Sequence, residues 1–228
     1  MKIRDNIANE FNEFSKNYTN DMIRCVPHYE KLMSFFTEYL PKNFSPKNIL
    51  DLGCGNGNVT SRLLQLFPDS NFTLLDASQE MINLCKEQFK AYNVEYVESY
   101  FKDYKFNDNH FDLITAGFSL HHCNSEEKKI LFLSINKSLK KSGMFSCSDL
   151  MINKNKPEHL VLLKKWKSFV YESFPDGEKW EWLMEHYDAF DKPDDYNDQI
   201  KWLNDAGFKD VRLPTNDSWW AHIQAIKA

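Results

Sequence analysis

The sequence predicts an α/β protein: a doubly wound, mostly parallel seven-stranded sheet with a reversed last strand, helices on both faces and an inserted helical lid. Three observations carry this. Short apolar runs alternate with segments whose apolar residues recur at helical spacing, the rhythm of strand–helix–strand units. The first run stops at "GCGNGN" (53–58), where three glycines stand at alternate positions. The last two runs, "DVRL" (210–213) and "WWAHIQAIKA" (219–228), are joined by the turn "PTND", too short to hold a crossover helix.

Each element follows from its own pattern. "YEKLMSFFTEYL" (29–40) places Leu32, Met33, Phe36, Tyr39 and Leu40 on one helical face, and Pro41 and Pro46 bracket the loop after it. "KNILDL" (47–52) reads as a buried strand. "VTSRLLQLF" (59–67) returns to helical spacing with Pro68 just past its end. "FTLLD" (72–76) is the second strand, and Ser78 caps a helix with Met81, Leu84, Cys85, Gln88 and Phe89 on one side. "VEYV" (94–97) and "FDLITAG" (111–117) are further strands. Ser125 caps a helix turning Ile130, Leu131, Ile135 and Leu139 inward, and "GMFSCSDLM" (143–151) is the fifth strand. "YNDQIKWLNDAGF" (196–208) is a helix stopped by Gly207 in the left-handed conformation. The sequence thus divides into an N-terminal helical segment (1–46) over the ligand site, a sheet domain (47–150 and 196–228) and an insertion (151–195). The aromatic-rich insertion follows the fifth strand at the carboxyl edge, where ligands bind in open α/β sheets, and is expected to act as a substrate lid.

Composition removes several function classes. No stretch approaches the ~18 consecutive apolar residues of a membrane helix. The N-terminus "MKIRDNIANEF" lacks a signal peptide's apolar core, and five scattered cysteines without CxxC spacing read as reduced thiols, so a cytoplasmic setting is expected. A net charge of −5 disfavours nucleic acid and anionic membrane as partners.

The glycine turn raises the question of its ligand. A strand, a glycine turn and a helix N-terminus present backbone N–H groups, and glycines let a nucleoside or amino acid lie against the main chain. Asp76 ends the second strand, where a carboxylate can accept hydrogen bonds from ribose hydroxyls. The dinucleotide fingerprint G-x-G-x-x-G is not met: counting from Gly53, its third glycine falls on Asn58. Asp51, two residues before Gly53, suits the ammonium of a methionine moiety better than a pyrophosphate. This charge logic favours S-adenosylmethionine over NAD.

"ILDLGCGNGNVT" with "LLDASQEMI" resembles the first two motifs of the class I S-adenosylmethionine-dependent methyltransferases, small-molecule branch. "YKFNDNHFDLITAGFSLHH", "SLKKSGMFSCSD" and "WLNDAGFKDV" are similar to the family's later blocks in the same order, and "FNEFSKNYTNDM" (11–22) to its N-terminal segment. The resemblance spans roughly 48–150 and 196–228. It implies that Gly53 and Gly55 contact the methionine part, with Asp51 shaping that end and Gly117 nearby. It further implies Asp76 on the ribose, Ala77 and Met81 beside the adenine, and Tyr18 approaching the cofactor. Where the family has an acidic residue for the adenine amino group, this chain reads "ESYFKDY". Tyr100 stands at that place with Phe101 next, unless Asp103 reaches in by a shifted loop.

The implied activity is methyl transfer to a nucleophilic atom of a small molecule by a monomer or homodimer. A tRNA-modifying enzyme, with lysines 164, 165 and 167 as its basic cluster, and a noncatalytic S-adenosylmethionine- or NAD-binding protein are the alternatives. His121 and His122, after the fourth strand, are the candidate catalytic bases. Glu185, His186 and Asp188 are candidates for polar contacts. The aromatics Trp166, Phe169, Tyr171, Trp180, Trp182 and Tyr187 line a pocket or form core. No metal is expected, because adjacent histidines rarely share an ion and no distant cluster completes a site.

Overall fold

The structure, a computed structural model, describes residues 7–11, 17–214 and 219–228. Residues 12–16 of the N-terminal segment and most of the turn "PTND" lie outside them. In chain order the elements are α1 (Tyr18–Cys25), α2 (Tyr29–Glu38), β1 (Asn48–Leu52), α3 (Asn58–Leu66), β2 (Asn71–Asp76), α4 (Gln79–Gln88), β3 (Val94–Glu98) and β4 (Phe111–Gly117). There follow α5 (Ser125–Ser138), β5 (Leu139–Leu150), α6 (Glu158–Ser173), α7 (Glu178–Phe190), α8 (Tyr196–Asp205), β6 (Phe208–Arg212) and β7 (Trp220–Lys227).

The seven strands form one sheet in the order β3-β2-β1-β4-β5-β7-β6. β1 through β5 pair in parallel, while β7 runs antiparallel between β5 and β6. The expected sheet, with its reversed last strand, is therefore present. Strand order switches sides at β1 and β4, which opens a crevice above their carboxyl ends.

Successive strand side chains point to opposite faces and feed two cores. Leu74 and Leu113 join a cluster with Phe36, Leu63, Ile82 and Cys85 from α2, α3 and α4. Leu75 and Ile114 join Leu131, Phe132 and Ile135 of α5 and Leu203 of α8 on the other face. Trp166, Trp180 and Tyr187 of the insertion extend the first cluster. The Trp166 Nε1–H donates to the Cys25 carbonyl at 2.6 Å, tying α6 to α1.

Some local expectations shift. Ser78 caps α4 by accepting from the Met81 N–H at 3.2 Å, as expected. The cap of α5 is Asn124 rather than Ser125, because Asn124 and Glu127 form a reciprocal capping box. Ile130 is 65% exposed, since the buried face of α5 runs through Leu131, Phe132 and Ile135 instead. Leu84 is likewise exposed, and Leu139 opens β5 rather than closing α5.

Candidate functional site

The glycine turn is built as its sequence requires. Gly53, Gly55 and Gly57 have φ of +66°, +53° and +87°, a region that side chains with a Cβ enter at a cost. The N–H groups of Gly53 and Cys54 both donate to the Leu75 carbonyl, at 2.7 and 3.0 Å, closing the turn against β2. A Cβ on Gly53 would overlap the Ser119 side chain, and one on Gly55 would stand 3.7 Å from the Tyr18 ring. Asp76 is locked beside the turn: Oδ2 accepts the Gly55 N–H and Oδ1 the Ser78 N–H, each at 2.8 Å. With the Ala77 N–H as a further donor, the carboxylate still has acceptor capacity for a ligand hydroxyl. Burial raises the Asp76 pKa, against the pull of those backbone donors.

A cavity of about 260 Å³ lies over the crevice. Its walls include eight of the ten residues expected at the cofactor: Tyr18, Gly53, Gly55, Asp76, Ala77, Met81, Tyr100 and Phe101. Ser99, Phe118, Ser119 and His122 continue the wall. Sequence reasoning had passed over Ser119, although its hydroxyl donates to the Leu52 carbonyl at 2.8 Å and braces the turn.

Two expected residues stand elsewhere. Asp51 is 1% exposed and lies beneath the turn, outside the cavity wall. It accepts the Thr60 hydroxyl at 2.6 Å and the Thr115 hydroxyl at 2.9 Å, pinning α3 to β4. Burial pushes its carboxyl up to about 6 despite those two hydroxyls. Gly117 also lies off the wall, packed against Val59 and Met33. Asp103 does not reach in. Its side chain is 58% exposed and pairs with Lys102 at 3.8 Å, leaving Tyr100 on the wall.

A second cavity of about 80 Å³ shares Phe11, Tyr18 and Phe118 with the first. Trp166, Trp182, Leu183 and Trp220 give it an aromatic lining, and His121, His186 and Asp191 a polar corner. Of the insertion aromatics, Trp166 and Trp182 thus face this cavity, while Trp180 and Tyr187 pack into core.

His121 and His122 sit in a single 3-10 turn, Leu120–His122, that brings their ring centroids to 4.1 Å. His122 faces the first cavity and His121 the second. Asp149, on β5, accepts the His121 N–H at 3.0 Å and also contacts its Nδ1. The pair does not stand alone. Asp191, the residue after α7, lies 3.2 Å from His122 Nδ1, 3.7 Å from His121 Nε2 and 3.6 Å from His186 Nε2. The expectation that no distant acidic residue joins the histidines is therefore corrected, because the insertion carries Asp191 and His186 back to the β4 turn. Burial, and then the His121 charge, push His122 down to about 4. Burial also works to lower His121, but Asp149 and Asp191 together raise it.

Residues 49–143 match the family described as "Methyltransferase domain". Among curated proteins, the Ubiquinone/menaquinone biosynthesis C-methyltransferase UbiE of Shewanella halifaxensis is 29% identical over 177 residues, covering 72% of this chain and 66% of that protein. The chain therefore spans just under two thirds of that relative's length. Human N-acetylserotonin methyltransferase in complex with SAM superposes with a TM-score of 0.62 at 16% identity, covering 97% of this chain and 56% of that one. PigF with SAH gives 0.64 at 18%, covering 99% and 60%. The structural likenesses establish the fold, and the matching domain starts within β1, runs through the glycine turn and Asp76, and ends inside β5. Over residues 49–143 the chain is thus similar to a methyltransferase domain, on a fold shared with structures holding S-adenosylmethionine or its product.

Proposed function

We propose that this protein transfers the sulfonium methyl of S-adenosylmethionine to a nucleophilic atom of a small molecule, leaving S-adenosylhomocysteine. The observation that carries this is the adjacency of the two cavities: one walled by glycine backbone and Asp76, the other by aromatic rings, with Tyr18 and Phe118 lining both. The residues fit the cofactor. Gly53 and Gly55 leave room for its amino-acid end against the main chain, Asp76 offers acceptor capacity to ribose hydroxyls, and Met81, Tyr100 and Phe101 form an apolar slot for adenine.

S-adenosylmethionine supplies an already activated methyl, so the protein's task is alignment and exclusion of water. Phe118, Trp166, Trp182 and Trp220 wall the acceptor's side, which suits a flat or cationic apolar molecule. His122 is the polar group at the junction. Held neutral near pH 7, its ring can accept a proton or bind a metal ion. The segment 151–195 serves as the lid, and α1 with Tyr18 closes the site from the N-terminal side. A small acceptor is favoured over tRNA, because lysines 164, 165 and 167 line neither cavity. The cytoplasm suits five free cysteines.

Isothermal titration with S-adenosylmethionine, S-adenosylhomocysteine and NAD as control tests the reading. The first two should bind and NAD should not. Asp76→Ala should weaken that binding by about 1–3 kcal/mol. Absence of binding by either methionine-derived nucleoside would overturn it.

A further inference from the structure

The corner where the insertion meets the β4 turn has the form of a metal site. We propose that His121 Nε2, His122 Nδ1 and Asp191 bind one divalent transition ion of the zinc type and leave its fourth position open, with His186 Nε2 close to the same Asp191 oxygen. Donor atoms of His121, His122 and Asp191 all lie within 4.8 Å of one another. A tetrahedral zinc ion with bonds of about 2.0–2.1 Å sets its donors about 3.3 Å apart. The ring nitrogens stand 3.2, 3.6 and 3.7 Å from one Asp191 oxygen, so small side-chain movements suffice.

Three further features separate this corner from an ordinary ion pair. First, the atoms are unsatisfied. Both His122 ring nitrogens and Asp191 Oδ1 are buried without a hydrogen bond, the 3.2 Å approach lacking the alignment of one. Buried polar groups are ordinarily paired, so such a concentration points to a missing partner. Second, Asp149 contacts His121 Nδ1 and so aims Nε2 at Asp191, the carboxylate–histidine–metal arrangement that orients ligands in known sites. Third, three histidines converge on a single oxygen of Asp191, whose side chain is 9% exposed. Adjacency of His121 and His122 is no obstacle, because the 3-10 turn brings both rings to the same side.

The ion would sit where the two cavities meet. On the methyl-transfer reading, it would hold an acceptor hydroxyl or thiol and lower its pKa, so that the proton leaves to solvent on coordination. The acceptor's lone pair then forms the bond to the methyl carbon while the carbon–sulfur bond breaks, its electron pair remaining on sulfur as a neutral thioether. The acceptor class is therefore a small hydroxyl or thiol compound able to ligate zinc.

The test is titration of the chelator-treated protein with ZnCl2, and separately with S-adenosylmethionine, alongside visible absorption with Co2+ in place of zinc. One zinc per chain should bind, and Co2+ should give the intense bands of a low-coordinate site. Asp191→Asn and His122→Ala, each checked for folding by circular dichroism, should weaken zinc binding by more than about 100-fold. A His28→Ala/His110→Ala double variant, both positions exposed, should bind zinc normally. Failure of the native protein to bind zinc, undiminished binding in folded Asp191→Asn, or loss in the surface double variant would each overturn the proposal. Zinc refusal with S-adenosylmethionine still bound removes the metal and leaves the methyl-transfer reading standing; the converse does the reverse.

Discussion

Two places in this molecule bury histidine, and they treat it differently. His222 on β7 is fully buried with both ring nitrogens engaged, Nδ1 with the Ser148 hydroxyl at 2.7 Å and Nε2 with Ser146 at 3.0 Å. Phe35 and Phe36 close over it edge-on. His122, across the sheet's carboxyl edge, has both nitrogens buried and neither bonded. Burial lowers the pKa in both, to about 3 and about 4, so titration alone does not tell them apart. What distinguishes them is satisfaction: one is a completed piece of core, the other a site still short of a partner.

That contrast can be broken at several points. His222→Leu should cost about 2–4 kcal/mol in urea unfolding, because the Ser146 hydroxyl loses its His222 partner in a sealed core and Ser148 keeps only the Leu32 carbonyl. S-adenosylmethionine affinity should not move. A loss under about 0.5 kcal/mol would make His222 no more structural than a surface residue.

The pH dependence sharpens it. His222 stays neutral when folded but takes a proton in the unfolded chain below about 6.5. The unfolded state then binds more protons, so stability falls as pH drops from about 6.5 towards 3. Between pH 7 and 5 this term amounts to about 2 kcal/mol. It should be present in the native protein and absent from His222→Leu when the two unfolding curves are compared.

On the other side, Asp149→Asn should weaken zinc about 10–100-fold in calorimetry by releasing the His121 ring from its orientation. The smallest effect on stability belongs to His122→Leu. Its nitrogens make no hydrogen bonds to lose, so the unfolding free energy should change by less than about 1 kcal/mol while zinc binding disappears. A large destabilisation would place His122 with His222.

The backbone of this molecule was legible in the sequence because its signals are local. Apolar runs, Gly207, the Ser78 cap and the too-short terminal link each act over a few residues. The glycine turn and Asp76 were legible for the same reason, since one strand and one turn place them together. The depth of Asp51 was not legible, because charge says nothing about strand parity, and two threonines from α3 and β4 hold its oxygens. Ile130 and Leu84 show the limit of helical spacing, which marks a stripe but not its edges. The metal corner was illegible for a deeper reason. Asp191 and His186 lie more than 60 residues after His122, and only the packing of α6 and α7 onto the sheet and α1 brings them back.

The position of β7 bears on how the protein is made. The ribosome delivers β5 and β6 before the strand that must lie between them. Until β7 emerges, the length of β5 from Met144 to Leu150 offers a row of backbone groups unpaired on that side, and β6 has no strand to pair with. A nascent chain halted in the segment 208–219 would carry an open, apolar edge able to capture another chain. Protection of this edge is therefore needed until β7 has emerged, when nearly everything else in the sheet is already paired.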